Sequence, residues 1–359
     1  MFRRLRLYLR AKKLSSLINL NRLTKDLYLF HGKNFARKQK LRFLESNQSY
    51  LAAIEANLYG LLNDEDKRLF LTWLFRRWLW GGGGPAGAYD DPNTPSLLQE
   101  YGYLLLKANL AFIEAERLAN ARQNKTDPVK LRLNGRNLIY YKDLPLPFYP
   151  KSALESLRIY DIAHLLIGEY YLEGFNPKDG EVILDCGGAS GDTALFFSAF
   201  YPKSPIHVFE CDPDSYKLLR KNIEANGLDS RVYAHNYGVA DANKELYFEN
   251  WQLVDTPSPT SLRVKCLSLD SFIKDRGIEN LGLIKMDIEG GEQLALQGAR
   301  ESILRFKPKL MIPIYHLEND IVEIPNFLHS LGIDLEFRLK WVEMRCYGVD
   351  CFLLVRFKQ

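Results

Sequence analysis

The chain of 359 residues has no apolar run near the roughly 18–20 residues that a membrane-crossing helix requires. Its first residues are basic, but they lack the continuous apolar core and small-residue cleavage site of a secretion signal. A soluble, cytoplasmic protein is expected. Cysteine is sparse. Cys186, Cys211, Cys266, Cys346 and Cys351 are odd in number, scattered, and never spaced as CxxC. That spacing excludes a zinc ribbon, a CxxC redox centre and a disulfide scaffold, and it suits a reducing compartment. No internal repeat occurs at solenoid periods. Acid is almost missing from the N-terminus. Twelve Lys and Arg in residues 1–40 face Asp26 alone, which gives +11, so the rest of the chain carries −7 of the net +4.

What is present is enough to bury a large core: 47% of residues are hydrophobic and 13% aromatic. The length exceeds one ordinary domain, so a large domain with an appendage is expected. Residues 1–80 read as helical, with Leu14, Leu17, Ile18, Leu51, Ile54, Leu58, Leu61 and Leu62 at three-to-four spacing. Glycines 81–84 and the prolines up to Pro95 make 81–95 a loop. A helix follows over Ser96–Gln123, carrying Leu97, Leu98, Leu104, Leu105, Leu110, Ile113 and Leu118. Trp73, Trp78 and Trp80 lie at helical spacing and read as core rather than as a sugar-stacking lid.

From residue 130 the pattern changes. Leu131–Tyr141 reads as a strand pair, and short apolar runs then alternate with helical stretches. The runs are Val182–Leu184, Ile206–Phe209, Val232–Ala234, Leu283–Met286, Leu310–Ile314 and Phe352–Val355. The helical stretches are Thr193–Phe200, Ser215–Asn226, Glu292–Phe306 and Asp320–Leu331. Such alternation predicts an α/β fold with a doubly wound, mostly parallel sheet and helices on both faces. The expected division is a helical region over 1–130 and an α/β domain over 131–359.

One turn stands out. Val182-Ile183-Leu184 ends at Asp185 and passes through Cys186, Gly187, Gly188, Ala189, Ser190 and Gly191 into a helix at Asp192. Small residues expose bare backbone to a ligand, and a helix N-terminus offers unpaired N–H groups. In an open parallel sheet this turn sits where ligands bind. The dinucleotide pattern fails, because Ala189 and Asp192 occupy its second and third glycine positions, and no P-loop Lys follows Gly191. Asp-x-Gly-x-x-x-Gly is instead the spacing of S-adenosylmethionine sites. Glu210 closes the next strand, where a carboxylate accepts two hydrogen bonds from a ribose diol.

A second strand, Leu283–Met286, ends in Asp287-Ile288-Glu289-Gly290-Gly291-Glu292. Parallel winding should bring Asp287 and Glu289 to the edge that holds Gly187. There they could orient a ligand, act as a base or hold a divalent metal. Glu292 reads as a helix-opening acid. His316 lies just past the next strand, the best placed of six histidines for proton transfer; His31, His164, His207, His235 and His329 read as surface or core packing.

These residues resemble an FkbM-type S-adenosylmethionine-dependent methyltransferase from about Glu169 to the C-terminus. The resemblance runs through Gly174, Pro177–Gly180, Asp185–Asp192, Glu210, Asp212-Pro213 and Asn226-Gly227-Leu228. It continues through Gly238–Asp241, Ser268–Asp270, Lys285–Gly290 and Ile314-Tyr315-His316. It implies a Rossmann-like class I methyltransferase sheet of seven strands. It also implies that Gly187, Ala189 and Gly191 approach the cofactor, that Asp185 orients its amino end, and that Glu210 holds the ribose. Val239–Asp241 would flank the adenine, while Asp287, Glu289 and His316 would face the acceptor. Cys186 and Gly187-Gly188 depart from the family's usual small-residue and Gly-Ala-Asn run and leave no side-chain amide at 189. The acceptor implied is a hydroxyl on a sugar, glycan or natural product. Tyr170 and Tyr171 would line the rim.

The amino-methyltransferase signature Asn/Asp-Pro-Pro-aromatic is absent after Met286, and no Pro-Cys pair exists for cytosine chemistry. A rival from another class is a non-catalytic scaffold whose arm binds an anionic membrane or nucleic acid. Arg3, Arg4, Arg6, Arg10, Lys12 and Lys13 interleave with leucines as in an interfacial helix. Only charge, and no recognisable fold, points to nucleic acid. A solvated basic face against the acidic body explains the arm more simply.

Overall fold

The structure is a computed structural model that describes residues 48–67, 69–70, 73–74, 102–124, 126–141, 159, 161–249, 252–341 and 350–358. The basic arm, Trp78, Trp80, the 81–95 loop, His31 and Cys346 lie outside the described residues.

Near the start of the α/β region, Asn134 and Gly135 both adopt positive φ, 46° and 77°. Two such residues form the tight turn whose twist matches antiparallel strands. They turn β1 (Val129–Leu133) back onto β2 (Arg136–Tyr140), as the strand-pair expectation required. Among the described residues the strands number thirteen and follow the alternation read from the sequence, with additions. β3 (Val182–Cys186), β4 (Ile206–Phe209), β5 (Val232–His235), β10 (Leu281–Met286), β11 (Lys309–Pro313), β12 (Leu335–Trp341) and β13 (Cys351–Phe357) form one sheet of seven strands. Its order is β12-β13-β11-β10-β3-β4-β5. The five central and edge strands from β11 to β5 run parallel, and β13 and β12 are antiparallel additions.

Helices cover both faces, so the middle strands are apolar on both sides rather than alternating, Asp185 and Lys285 excepted; all five residues of β3 and all six of β10 are buried. On one face, Leu184, Ile284, Ile312 and Leu353 share a core with Leu51, Ile54, Leu58 and Trp73. Helix α1 (Gln48–Asn57) therefore packs on this sheet, tied by Tyr50 Oη donating to Glu318 O and by His329 Nε2 donating to Asn57 O. Trp73 is core, at 1% exposure. On the other face, Ile183, Val208 and Leu283 meet α3 (Asp192–Phe200), α4 (Pro213–Ala225) and the β1–β2 hairpin. Helix α2 (Gly102–Asn120) presents Ala111 and Ala115 inward, whereas Leu110 and Ile113, read as part of its apolar stripe, are exposed.

Two segments depart from the sequence reading. The expected helix Glu292–Phe306 is two helices, α6 (Glu292–Gln297) and α7 (Arg300–Phe306). They separate at Gly298, where a Cβ would lie 2.1 Å from Ala240 O. The close approach of that backbone, not local propensity, sets the break, and the Asp270 carboxylate, in α5 (Leu269–Asp275), caps α7 by accepting from Glu301 and Ser302 N–H. Residues 238–267, left without assignment above, form a second sheet of β6 (Gly238–Val239), β7 (Lys244–Glu249), β8 (Gln252–Val254) and β9 (Leu262–Leu267), in order β6-β9-β7-β8. No described helix is long and apolar enough to cross a membrane.

Candidate active site

The chain leaves β3 for β4 on one side and β10 for β11 on the other, so the strand order reverses between β3 and β10. Ligands bind outside the carboxyl ends of strands at such a reversal. A cavity of about 400 Å³ opens there.

Its floor is the Gly-rich turn. Gly187 has φ +83°, and a Cβ on it would fall 1.8 Å from the carbonyl O of Asp287. Asp287 N donates to Cys186 O at 2.9 Å, so the two acid-ended strands are stitched at this point. Gly187→Ala is expected to cost about 2–4 kcal/mol from the left-handed backbone and the overpacking together. Urea unfolding checks this; a stability within 0.5 kcal/mol of wild type, a span that ordinary surface substitutions cover, would refute it. The turn is clamped from behind. Asn222 Nδ2 donates to Ser190 O and Tyr141 O, while its Oδ1 accepts from Tyr141 N. Asn226, one turn on, repeats the pairing with Ile139 N and O, so α4 edges strand β2 as another strand would. Tyr140 Oη bonds Ser190 Oγ at 2.6 Å.

Glu210 follows β4, 9% exposed, and lines the cavity. Its Oε2 accepts from Ala189 N and its Oε1 from Asp212 N, both at 2.8 Å. Burial raises its pKa to about 7, against the pull of those two N–H groups. Ala189 at φ 41° and Glu289 at φ 54° are left-handed without being glycine, and both line the cavity. Residues other than glycine are strained in that region.

At the other side, Asp287 and Glu289 line the cavity and His316 stands behind them. His316 Nδ1 donates to Glu292 Oε1 at 2.9 Å, and its Nε2 is 3.4 Å from both Asp287 Oδ1 and Glu289 Oε2. Burial works against charge on His316, but Glu292, Asp287 and Glu289 outweigh it and raise the pKa to about 9. It is therefore an imidazolium at neutral pH. Asp287 is raised to about 7 by burial and by Glu289 and Glu292, with Lys285 and His316 opposing. Glu292 opens α6 and also accepts from Ile288 and Gly290 N–H, which fixes the loop that carries Asp287 and Glu289.

Several expected site residues lie elsewhere. Asp185 is fully buried in the sheet and does not line the cavity. It pairs at 3.0 Å with Lys285, its register partner on β10, and accepts from Thr193 Oγ1. Its influence on a ligand passes through Lys285 and Thr193, which do line the cavity. Gly191 N-caps α3 and Asp241 is exposed in a salt bridge with Lys244, so neither reaches the cavity. Val239 does reach it, joined by Phe248 of β7 and Leu253 of β8. Tyr170 lines the wall, whereas Tyr171 is exposed against Phe200. The sequence reading missed Asp161, His164, Glu169, Asp192 and Asp350, all on this cavity. The one sequence signal for two of them was Gly168-Glu169, a helix stop four residues after His164. The four described cysteines are free thiols.

Residues 185–335 match the family model described as Methyltransferase FkbM domain. The 2-O-methyltransferase NoeI of Sinorhizobium fredii is 26% identical over 153 residues, 36% of this chain and 61% of that protein. The 31-O-demethyl-FK506 methyltransferase FkbM of Streptomyces tacrolimicus is 22% identical over 232 residues, 50% of this chain and 89% of that protein. The solved structure of methyltransferase FkbM from Methylobacillus flagellatus KT aligns with TM-score 0.38 and 18% identity, over 73% of this chain and 63% of that one. Over residues 185–335, the chain is thus similar to the methyltransferase domain described for FkbM.

Proposed function

We propose that the protein methylates a hydroxyl group of a sugar, glycan or natural product. The observation that carries this is the pairing, across one cavity, of a diol-accepting carboxylate with a carboxylate poised near neutrality: Glu210 and Asp287. The residues present fit S-adenosylmethionine. Gly187 offers bare backbone, and Glu210 keeps lone pairs for ribose hydroxyls after accepting from Ala189 and Asp212. Val239, Phe248 and Leu253 make an apolar wall for a purine. When bound, S-adenosylmethionine supplies an electrophilic methyl on a sulfonium.

Asp287, on the cavity wall, would take the proton of an acceptor hydroxyl held beside it, while the turn at Gly187 would align the donor. A carboxyl near pH 7 is matched to that task. The imidazolium of His316, held by Glu292, fixes the Asp287 carboxylate. His316, expected as an alternative base, is protonated and acts by position. The relatives named as O-methyltransferases support an oxygen acceptor, and a small molecule or glycan is its class.

Calorimetry with S-adenosylhomocysteine tests the reading, and saturable binding is expected. Absence of binding would leave the non-catalytic scaffold in its place. The pH dependence gives a sharper signature. Glu210 must be ionised to accept the diol, so affinity should fall about tenfold per pH unit below 7, one proton being taken up. Stability of the ligand-free protein should move oppositely. Glu210 and Asp287 have folded pKa values, about 7, above their usual ones, so the folded state binds protons that the unfolded state releases. His316 at about 9 contributes stability that is full below its usual value and is lost as pH rises through 9. Its melting temperature should therefore rise from pH 9 to 6.5. Below that, His207 and His235, lowered to about 4 chiefly by burial, offset the two carboxyls, and the rise should level off. Parallel trends for affinity and melting between pH 7 and 6.5 would overturn the assignment of Glu210.

A further inference from the structure

We infer that the cavity holds a divalent transition-metal ion on His164, Glu169 and Asp350, a site separate from Asp287 and His316. The local fold makes it. Helical residues 161–167 stop at Gly168, φ +69°. Glu169 N then donates back to His164 O, and Gly168 N to Leu165 O, both at 3.2 Å. This left-handed helix stop folds the chain so that residue 169 returns over residue 164. The Glu169 side chain meets His164 Nδ1, which donates to its Oε2. A bound ion would take the place of the proton that His164 Nδ1 and Glu169 Oε2 share.

Asp350, next to β13, completes the group. One ligand atom from each of the three residues lies within 4.8 Å of the others. Metal–ligand bonds of roughly 2.1 Å allow separations up to about 4.2 Å, so closure by a few tenths of an ångström suffices. The second observation is a buried orphan. Glu169 is 2% exposed, and its Oε1 has no hydrogen-bond partner among the described residues. A buried carboxylate oxygen without a donor is costly unless a cation meets it. Asp161 and Asp192 line the same cavity as Glu169 and Asp350. Lys285 is committed to Asp185 and to Gly187 O.

Another trio, Asp287, Glu292 and His316, has similar spacing, but both oxygens of its fully buried carboxylate already have donors. There Glu292 accepts from Ile288, Gly290 and His316, whereas Glu169 Oε1 has no such donor among the described residues. One imidazole with two carboxylates suits Mn²⁺ or Zn²⁺ better than Ca²⁺. Bound on this wall, such an ion would lower the pKa of an acceptor hydroxyl. That consequence rests on the proposed methyl transfer; the binding does not.

The full chain is titrated with MnCl₂, and free Mn²⁺ is read by electron paramagnetic resonance. One saturable site per chain is expected in wild type and in Asp287→Asn. Affinity at least tenfold weaker is expected in Glu169→Gln and in the half-buried Asp350→Asn. If Glu169→Gln does not fold by circular dichroism, Asp350→Asn decides alone. No saturation in wild type would overturn the site and leave the acidic wall to an ammonium group of a ligand. Affinity lost only in Asp287→Asn, or unchanged in Asp350→Asn, would overturn it equally. S-adenosylhomocysteine binding without Mn²⁺ binding would remove the metal and keep the methyltransferase reading; the converse would do the reverse.

Discussion

Lys285→Met is expected to lower the unfolding free energy by about 3–5 kcal/mol, because removing one partner strands a buried charge. Lys285 is 1% exposed and Asp185 0%. They stand in register on adjacent parallel strands, 3.0 Å apart. Burial opposes the ammonium, but the carboxylates of Asp185, Asp287 and Asp192 outweigh it and hold its pKa above the usual value. The same ammonium donates to Gly187 O at 2.8 Å, so its loss also frees the floor of the cavity. Methionine fills the space of the lysine stem but donates nothing. The double variant Lys285→Met, Asp185→Asn should recover a large part of the loss, since no charge is then stranded. Urea unfolding of the four proteins gives the coupling. If the double variant is as unstable as the two single losses added, the pair is not an ion pair in the folded protein.

Asp287→Asn is the second large effect. Turnover should fall by about 10²–10⁴-fold, the range for removing a positioned general base. S-adenosylhomocysteine affinity should change less than threefold, since the contacts proposed for ribose and purine, Glu210 and Val239, lie elsewhere on the cavity. An asparagine keeps the shape of the side chain but cannot accept the proton at near-neutral pH. The His316 imidazolium 3.4 Å away then loses one of its three carboxylates. Single-turnover methyl transfer to the identified acceptor measures the first quantity, and calorimetry measures the second. Unchanged turnover would take Asp287 out of the proton transfer; affinity lost in proportion to turnover would make it a cofactor ligand instead.

Where the chemistry sits on a local pattern, it was legible. Asp185 to Gly191 and Asp287 to Glu292 each announce a buried strand ending in acids and glycines. Parallel winding brings them together as β3 and β10, with Asp287 N on Cys186 O. The Asn134-Gly135 hairpin and the Asp212-Pro213 start of α4 were equally local, and Asp212 accepts from Ser215 N as a cap should. Side-chain direction was not local. Asp185 looked like a ligand group because it ends an apolar run, yet strand alternation turns it onto the face where Lys285 waits one strand away. His164 looked like packing, because nothing in its own helix shows that Asp350, 186 positions later, closes on it.

The sequence by itself determined the periodicities, the caps and the glycine positions, hence the order of strands and helices and the edge at which they converge. These depend on backbone sterics and on hydrogen bonds spanning a few residues. Only the tertiary structure decided which acids face the cavity, which are neutralised inside the sheet, and which proton sits on His316. Charge and protonation follow from groups distant in the chain and from water excluded by all of them together, and neither is written in any single stretch.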